Sequence, residues 1–208
     1  MEKLFFIMIV CMYIPSTFVY SQLTSPDQVS IDAGISIPTA PEQFSDYWND
    51  GVHAGISILY TTRYPYVGLL SLDYNYFSFD EAQLNKKLNM QQGAATVSGA
   101  STSNYRLSSG MNYYFQADPL FVPFVSAGVS LSYLQVSEAT VTYPVSVKSQ
   151  NSSYKVYLSF YFGGGITFPA YDGMDFILSL ERGISAKKDQ TVNTDFYTIK
   201  IGALWDIP

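Results

Sequence analysis

The sequence predicts an all-β protein, an eight-stranded antiparallel up-and-down transmembrane β-barrel. Three observations carry this. Only 13% of the 208 residues are charged, about half the share of an ordinary soluble domain. Yet beyond the N-terminus no stretch approaches the roughly 20 apolar residues of a membrane-spanning helix. Second, eight runs alternate apolar and polar with period two, as strands do because successive side chains point to opposite faces. Third, the connections between the runs alternate between short and long, as in a meander closed into a barrel with both termini on one side.

The first 21 residues read as a cleaved signal peptide and 22–208 as the barrel domain. Lys3 gives a positive start, Leu4 to Ile14 an apolar segment, and Val19-Tyr20-Ser21 a cleavage site before Gln22. Cys11, the only cysteine, falls inside that leader, so the mature chain offers neither a disulfide nor a thiolate metal site. Losing Glu2 and Lys3 together leaves the net charge at −6, which argues against a nucleic-acid partner.

The runs span residues 29–37, 52–60, 66–76, 105–115, 123–133, 154–166, 174–180 and 197–207. Thr61–Pro65, Gln116–Val122 (with Asp118-Pro119) and Thr167–Gly173 (with Asp172-Gly173) are tight connections with Pro or Gly turn chemistry. The other four, 38–51, 77–104, 134–153 and 181–196, are long. Within the first, Thr39–Gly51 reads as a solvated loop whose carboxylates lack the ligand spacing of a calcium loop. In the second, Asp80 is placed to cap a short helix with Leu84 and Leu88 on one face, followed by a small, polar, mobile segment over Gln91–Asn104.

Sorting each run by parity gives two unlike faces. The more apolar face, from Val29, Ile31, Ala33, Ile35 and Ile37 through to Trp205 and Ile207, is apolar at 41 of 45 positions and holds no Asp, Glu, Lys or Arg. The other is built from small residues such as Gly34, Ser36, Gly55, Ser57, Ser108, Gly110, Gly128 and Ser130. An eight-stranded barrel has room inside only for small or closely fitted side chains, so the bulky apolar face belongs outside, against hydrocarbon. Aromatic residues gather at the run ends. Tyr60, Tyr66, Tyr113, Phe168, Phe176 and Trp205 lie at the short-turn ends, and Tyr76, Tyr105, Tyr133, Tyr154 and Tyr197 at the long-loop ends. Two interfacial belts of this kind flank the apolar band of membrane barrels.

On this pattern of strands the mature chain resembles the small eight-stranded outer-membrane barrels of Gram-negative bacteria, the OmpX and OmpA-transmembrane-domain type. Its last strand, with Lys200, Gly202, Trp205 and Ile207, looks like that family's assembly signal, although the chain ends Asp206-Ile207-Pro208 rather than on an aromatic residue. The resemblance implies a monomer in the cell outer membrane, surrounded by outer-membrane lipid and lipopolysaccharide and inserted by the barrel-assembly machinery.

The charges on the small-residue face have to pair in a narrow lumen, since unpaired buried charge is costly. Asp73 is expected opposite Arg106, and Glu181 between Lys155 and Lys200, as a polar plug. His53, the only histidine, reads as a lumen or rim residue satisfied by hydrogen bonds. Ser57 lies two inward positions beyond it as the one nucleophile worth weighing. One histidine without cysteine suggests no transition-metal site, and no cofactor motif is present. The functional expectation is a structural, adhesive or surface-ligand-binding barrel acting through its long loops on an extracellular ligand, and not an enzyme. A narrow pore for water, ions or small solutes and a lipid-modifying enzyme stand as alternatives. Lys86, Lys87, Lys148, Lys187 and Lys188 all lie in long loops, within reach of lipid phosphates.

Overall fold

A computed structural model describes residues 26–63, 65–87, 95–115, 120–143, 146–171, 173–186 and 194–207. The predicted signal peptide, Leu88, Gln91 to Ala94, Asp118-Pro119, Asp172, Lys187 and Lys188 lie outside them.

Each of the eight alternating runs forms a strand, extended at one or both ends. In chain order the elements are β1 (Gln28–Ala40), α1 (Glu42–Tyr47), β2 (Gly51–Arg63), β3 (Tyr66–Ser78), α2 (Glu81–Lys87), β4 (Thr96–Ser98), β5 (Ser101–Tyr114), β6 (Val122–Val136), β7 (Ala139–Tyr143), β8 (Ser146–Gln150), β9 (Ser153–Tyr171), β10 (Met174–Ser185) and β11 (Asp195–Asp206). Eight of these close into an antiparallel barrel in the order β1-β11-β10-β9-β6-β5-β3-β2. Closure pairs the ends of the described chain, with Gln28 opposite Asp206 and Ile37 opposite Tyr197. The all-β, up-and-down prediction therefore holds. Gly173, with φ of 75°, supplies the left-handed backbone that the tight turn from β9 to β10 requires.

Alternation sets what each wall sees. The apolar parity faces outward and is bare: Ile31 is 55% exposed, Val52 60% and Ile201 65%. The small-residue parity faces inward, where Ser36 and Asn75 are fully buried. A closed sheet with this arrangement has its polar core on the axis, the reverse of a water-soluble barrel. Aromatic rings line both rims of the outer wall. Tyr66 packs edge-on against Tyr113 at 5.2 Å near the short turns. Near the long loops, Tyr74, Tyr105, Tyr133 and Tyr154 form a ladder across four strands, with centroid spacings of 5.0, 6.2 and 6.2 Å.

The long connections carry more structure than their composition suggested. β4, β7 and β8 form a separate three-stranded sheet, and the segment expected to be mobile up to Asn104 is already strand β5 from Ser101. Thr39–Gly51, expected as a solvated loop, contains α1. Asp80 does cap α2, its Oδ1 accepting the Gln83 amide at 3.0 Å. The Asn85 side chain clamps Ala95 in both directions, accepting from its amide at 2.8 Å and donating to its carbonyl at 2.9 Å. Lys87 forms an ion pair with Asp46 of α1 and lies 5.0 Å from the Tyr47 ring centroid.

Candidate functional site

The inward side chains build three tiers along the barrel axis. At the long-loop mouth, α1 lowers Phe44 onto Phe77 of β3 at 5.0 Å, and Phe77 meets Phe196 of β11 at 5.6 Å. These three rings are buried, and Trp48 packs against them. At the short-turn end, Leu59, Val67 and Leu204 form a second apolar layer, flanked by Leu69 and Tyr114. Between these caps lies the polar middle.

The middle tier is a charge cluster. Asp73 and Arg106 are direct Cα partners on β3 and β5. Arg106 Nε donates to Asp73 Oδ2 at 3.1 Å, and its Nη2 reaches both the same oxygen and Glu181 Oε1. Lys200 Nζ donates to Glu181 Oε2 at 3.0 Å and lies 3.6 Å from Asp73 Oδ1. Asp73 and Arg106 are only 1% and 2% exposed. At this depth each charge needs its partner, because removing one leaves the other desolvated and uncompensated.

The small residues make room for this cluster. Tyr161 of β9 lies over the neighbouring strands β6 and β5, so that a Cβ on Gly110 or Gly128 would fall 2.1 or 2.6 Å from its hydroxyl. Its ring and that of Phe196 lie under the Arg106 guanidinium at 5.8 and 5.9 Å. The glycines are thus the space into which the large lumen side chains fit.

Lys155, expected beside Glu181, stands elsewhere. Its register partner is Leu134 near the long-loop mouth, whereas Glu181 lies opposite Gly163. Parity placed both residues on the inner face, but their level depends on register, which the sequence does not display. Lys200, Gly202, Trp205 and Ile207 divide by face. Lys200 enters the cluster, and Gly202 backs onto Asp32, where a Cβ would come 2.8 Å from the Asp32 Cβ. Trp205 and Ile207 continue the outward parity at the short-turn rim. Of the predicted belts, Tyr66, Tyr76, Tyr105, Tyr133, Tyr154, Phe168 and Phe176 are exposed on the outer wall. Tyr60, Tyr113, Tyr197 and Trp205 are half-buried there.

His53 is the hydrogen-bonded lumen residue that the sequence suggested, but the network of Asn75, Ser36 and Thr198 behind it was not legible there. His53 is buried, with Nδ1 2.9 Å from Asn75 Oδ1 and Nε2 2.7 Å from Asp32 Oδ1. Asn75 Oδ1 also accepts the Ser36 hydroxyl at 2.7 Å, and Ser36 meets Thr198 at 3.3 Å. Both imidazole nitrogens therefore face groups other than Ser57, and no Ser–His pair of the kind nucleophilic catalysis uses is present among the described residues. Asn75 and Ser36 carried no charge to single them out. Below the cluster, Ser30, Asp32, Ser57, Asn112, Ser179 and Glu181 line a cavity of about 50 Å³, large enough for ordered water.

Arg182 is a further surprise. The alternating run ended at Leu180, but β10 continues to Ser185, which puts Arg182 on the outer wall at the long-loop belt. There it lies 5.2 Å from the Tyr197 ring centroid.

No protein-family model matches the chain, and no curated protein does. Solved structures do. Neisserial surface protein A (NspA) superposes with a TM-score of 0.59 at 16% identity, covering 86% of this chain and 96% of that one. A major outer membrane protein from Thermus thermophilus gives 0.53 at 11% identity, covering 86% and 99%. The fold is the eight-stranded barrel that these proteins share.

Proposed function

We propose that this chain is an integral outer-membrane β-barrel whose lumen is a plug and whose long-loop end is its working surface. The role is structural, adhesive or ligand-binding rather than catalytic. The observation that carries the reading is the combination of a bare apolar wall with an interior occupied at three levels by rings, ion pairs and then aliphatic side chains. An apolar wall between aromatic rims suits hydrocarbon between two interfaces, and a lumen filled by packed, paired side chains suits a barrel that passes nothing. The names of the similar structures, a surface protein and a major outer membrane protein, support the location.

On this reading the exported chain is inserted by the barrel-assembly machinery, which reads the last strand, and remains a monomer in outer-membrane lipid and lipopolysaccharide. Its loops, stiffened by the β4-β7-β8 sheet and the α1–α2 ion pair, present exposed Val147 and Lys148, and separately Lys86 and Lys87, toward an external ligand. Planar-bilayer recording of the refolded protein tests the plug. Silence at all voltages is expected, and steady single-channel currents replace the plug with a narrow pore. Heat-dependent migration on gels tests the membrane barrel itself, and a purified protein that stays monomeric in water without detergent refutes it.

A further inference from the structure

We propose that the lumen holds a divalent first-row transition cation between His53, Asp32 and Asp73. One ligand atom from each residue lies within 4.8 Å of the other two. Nε2 of His53 stands 2.7 Å from Asp32 Oδ1 and 3.8 Å from Asp73 Oδ1. Three adjacent strands create the convergence. Asp32 of β1 and Asp73 of β3 are both register partners of Gly55 on β2, and His53 is the next inward residue along β2.

Four observations mark this as a built site. Asp73 Oδ1 belongs to a side chain only 1% exposed and makes no hydrogen bond. Its other oxygen accepts from Arg106 at 3.1 Å and from Ser71 at 3.2 Å, so Oδ1, held only by the longer ion-pair contacts to Lys200 and His53, is the oxygen with a hydrogen-bonding position to fill. Second, a Cβ on Gly55 would come 2.8 Å from Asp32 Oδ1 and 2.9 Å from Asp73 Oδ1, so the missing side chain is what lets both carboxylates approach the ring. Third, Asn75 Oδ1 lies 2.9 Å from Nδ1. A carbonyl in that position holds a proton on Nδ1. Nε2, which shares a hydrogen bond with Asp32 Oδ1 at 2.7 Å, then becomes a ligand when the cation displaces the proton of that bond, as in metal-bound imidazoles backed by outer groups. Fourth, three carboxylates, Asp32, Asp73 and Glu181, meet two permanent cations in this cluster, Arg106 and Lys200, which leaves one negative charge for His53 or a bound cation to balance. Lys200 is bonded to Glu181 and sits 3.6 Å from Asp73 Oδ1, beyond hydrogen-bond reach. An added cation meets the surplus negative charge.

One imidazole and two carboxylates form a nitrogen–oxygen set that suits zinc and its neighbours, in preference to calcium with its all-oxygen shell or the thiolate-seeking soft ions. The cavity lined by Asp32 and Ser57 leaves room for a water to complete the coordination. The sequence hid this site because its ligands come from three strands, with no motif spacing between them.

The test uses the folded full-length mature protein in detergent, stripped with a chelator and titrated with zinc. His53 is the only histidine, so its ring resonances report the site without any substitution. Saturable shifts at one zinc per chain are expected, and unmoved resonances overturn the proposal. Calorimetry on Asp32→Asn and Gly55→Ala, each confirmed as folded by gel migration, should show affinity reduced at least tenfold. Asn75→Ala should lose on the order of 10–100-fold, as removal of an outer partner does. Zinc binding of equal strength in wild type and Asp32→Asn places the ion on the loops and overturns the proposal as well.

Discussion

At Arg106 one buried guanidinium serves two carboxylates, Asp73 and Glu181. Arg106→Met should cost about 3–5 kcal/mol, the usual penalty for breaking a buried ion pair from one side. Adding Asp73→Asn to the same chain should restore most of it, because Glu181 keeps Lys200 as its partner at 3.0 Å and the loss comes from stranded charge and not from lost packing. Urea titration of the refolded barrel, followed by tryptophan fluorescence, checks both. Gly34→Val is a different kind of lesion. Its Cβ would stand 1.9 Å from the Ile199 carbonyl oxygen, a backbone atom that cannot rotate away, so the seam between β1 and β11 has to part. A markedly lower folded yield is expected. On the loops, Asp46 hydrogen-bonds Lys87 and raises its pKa above the ordinary 10.5. A raised value in the folded state means that the pair's contribution is complete below 10.5 and fades only as pH climbs through the higher value. Lysine-selective NMR of wild type against Asp46→Asn should show Lys87 titrating later in the wild type.

Among the elements, α1 is the one whose removal has a directional consequence. It contributes Phe44 to the ring cluster over the long-loop mouth, so Phe44→Ala should destabilise the barrel by about 3 kcal/mol, at the low end for losing a buried phenyl ring. The ion pairs beneath are untouched, so the variant should still carry no current. The same element shows where sequence reading stops. Phe44 lies in a segment whose carboxylates suggested a solvated loop, and only its approach to Phe77 and Phe196, distant in sequence, reveals its apolar role. The barrel strands were legible because period-two alternation is a local property of each run. Asp73 and Arg106 were legible as partners because the run order and parity placed them on adjacent strands. Lys155 and Glu181 were not, because a shift along a strand leaves parity intact while changing level. The β4-β7-β8 sheet was hidden for another reason: its short strands alternate only weakly and depend on one another's edges.

For the molecule as a whole, the outer wall makes a prediction that the lumen does not. Ile35→Arg introduces a charge in mid-wall, and in a bilayer it should cost about 2–4 kcal/mol, the usual penalty at the midplane of a membrane barrel. In detergent micelles, where the arginine can reach water, the loss should be smaller. Comparing refolding into vesicles and into micelles separates a lipid-facing wall from one that merely packs. The closing seam has a temporal consequence. The Gln28 side chain donates to Asp206 at 2.8 Å across a sequence separation of 178 residues, so although β1 pairs with β2 along one edge, its other edge has no permanent partner until the last strand has been made. Loop closure over nearly the whole chain must precede that pairing, and meanwhile β1 waits with an open hydrogen-bonding edge and a greasy face, the combination most prone to mispairing. The order of synthesis thus sets a vulnerable interval whose length is the time needed to produce and deliver β11.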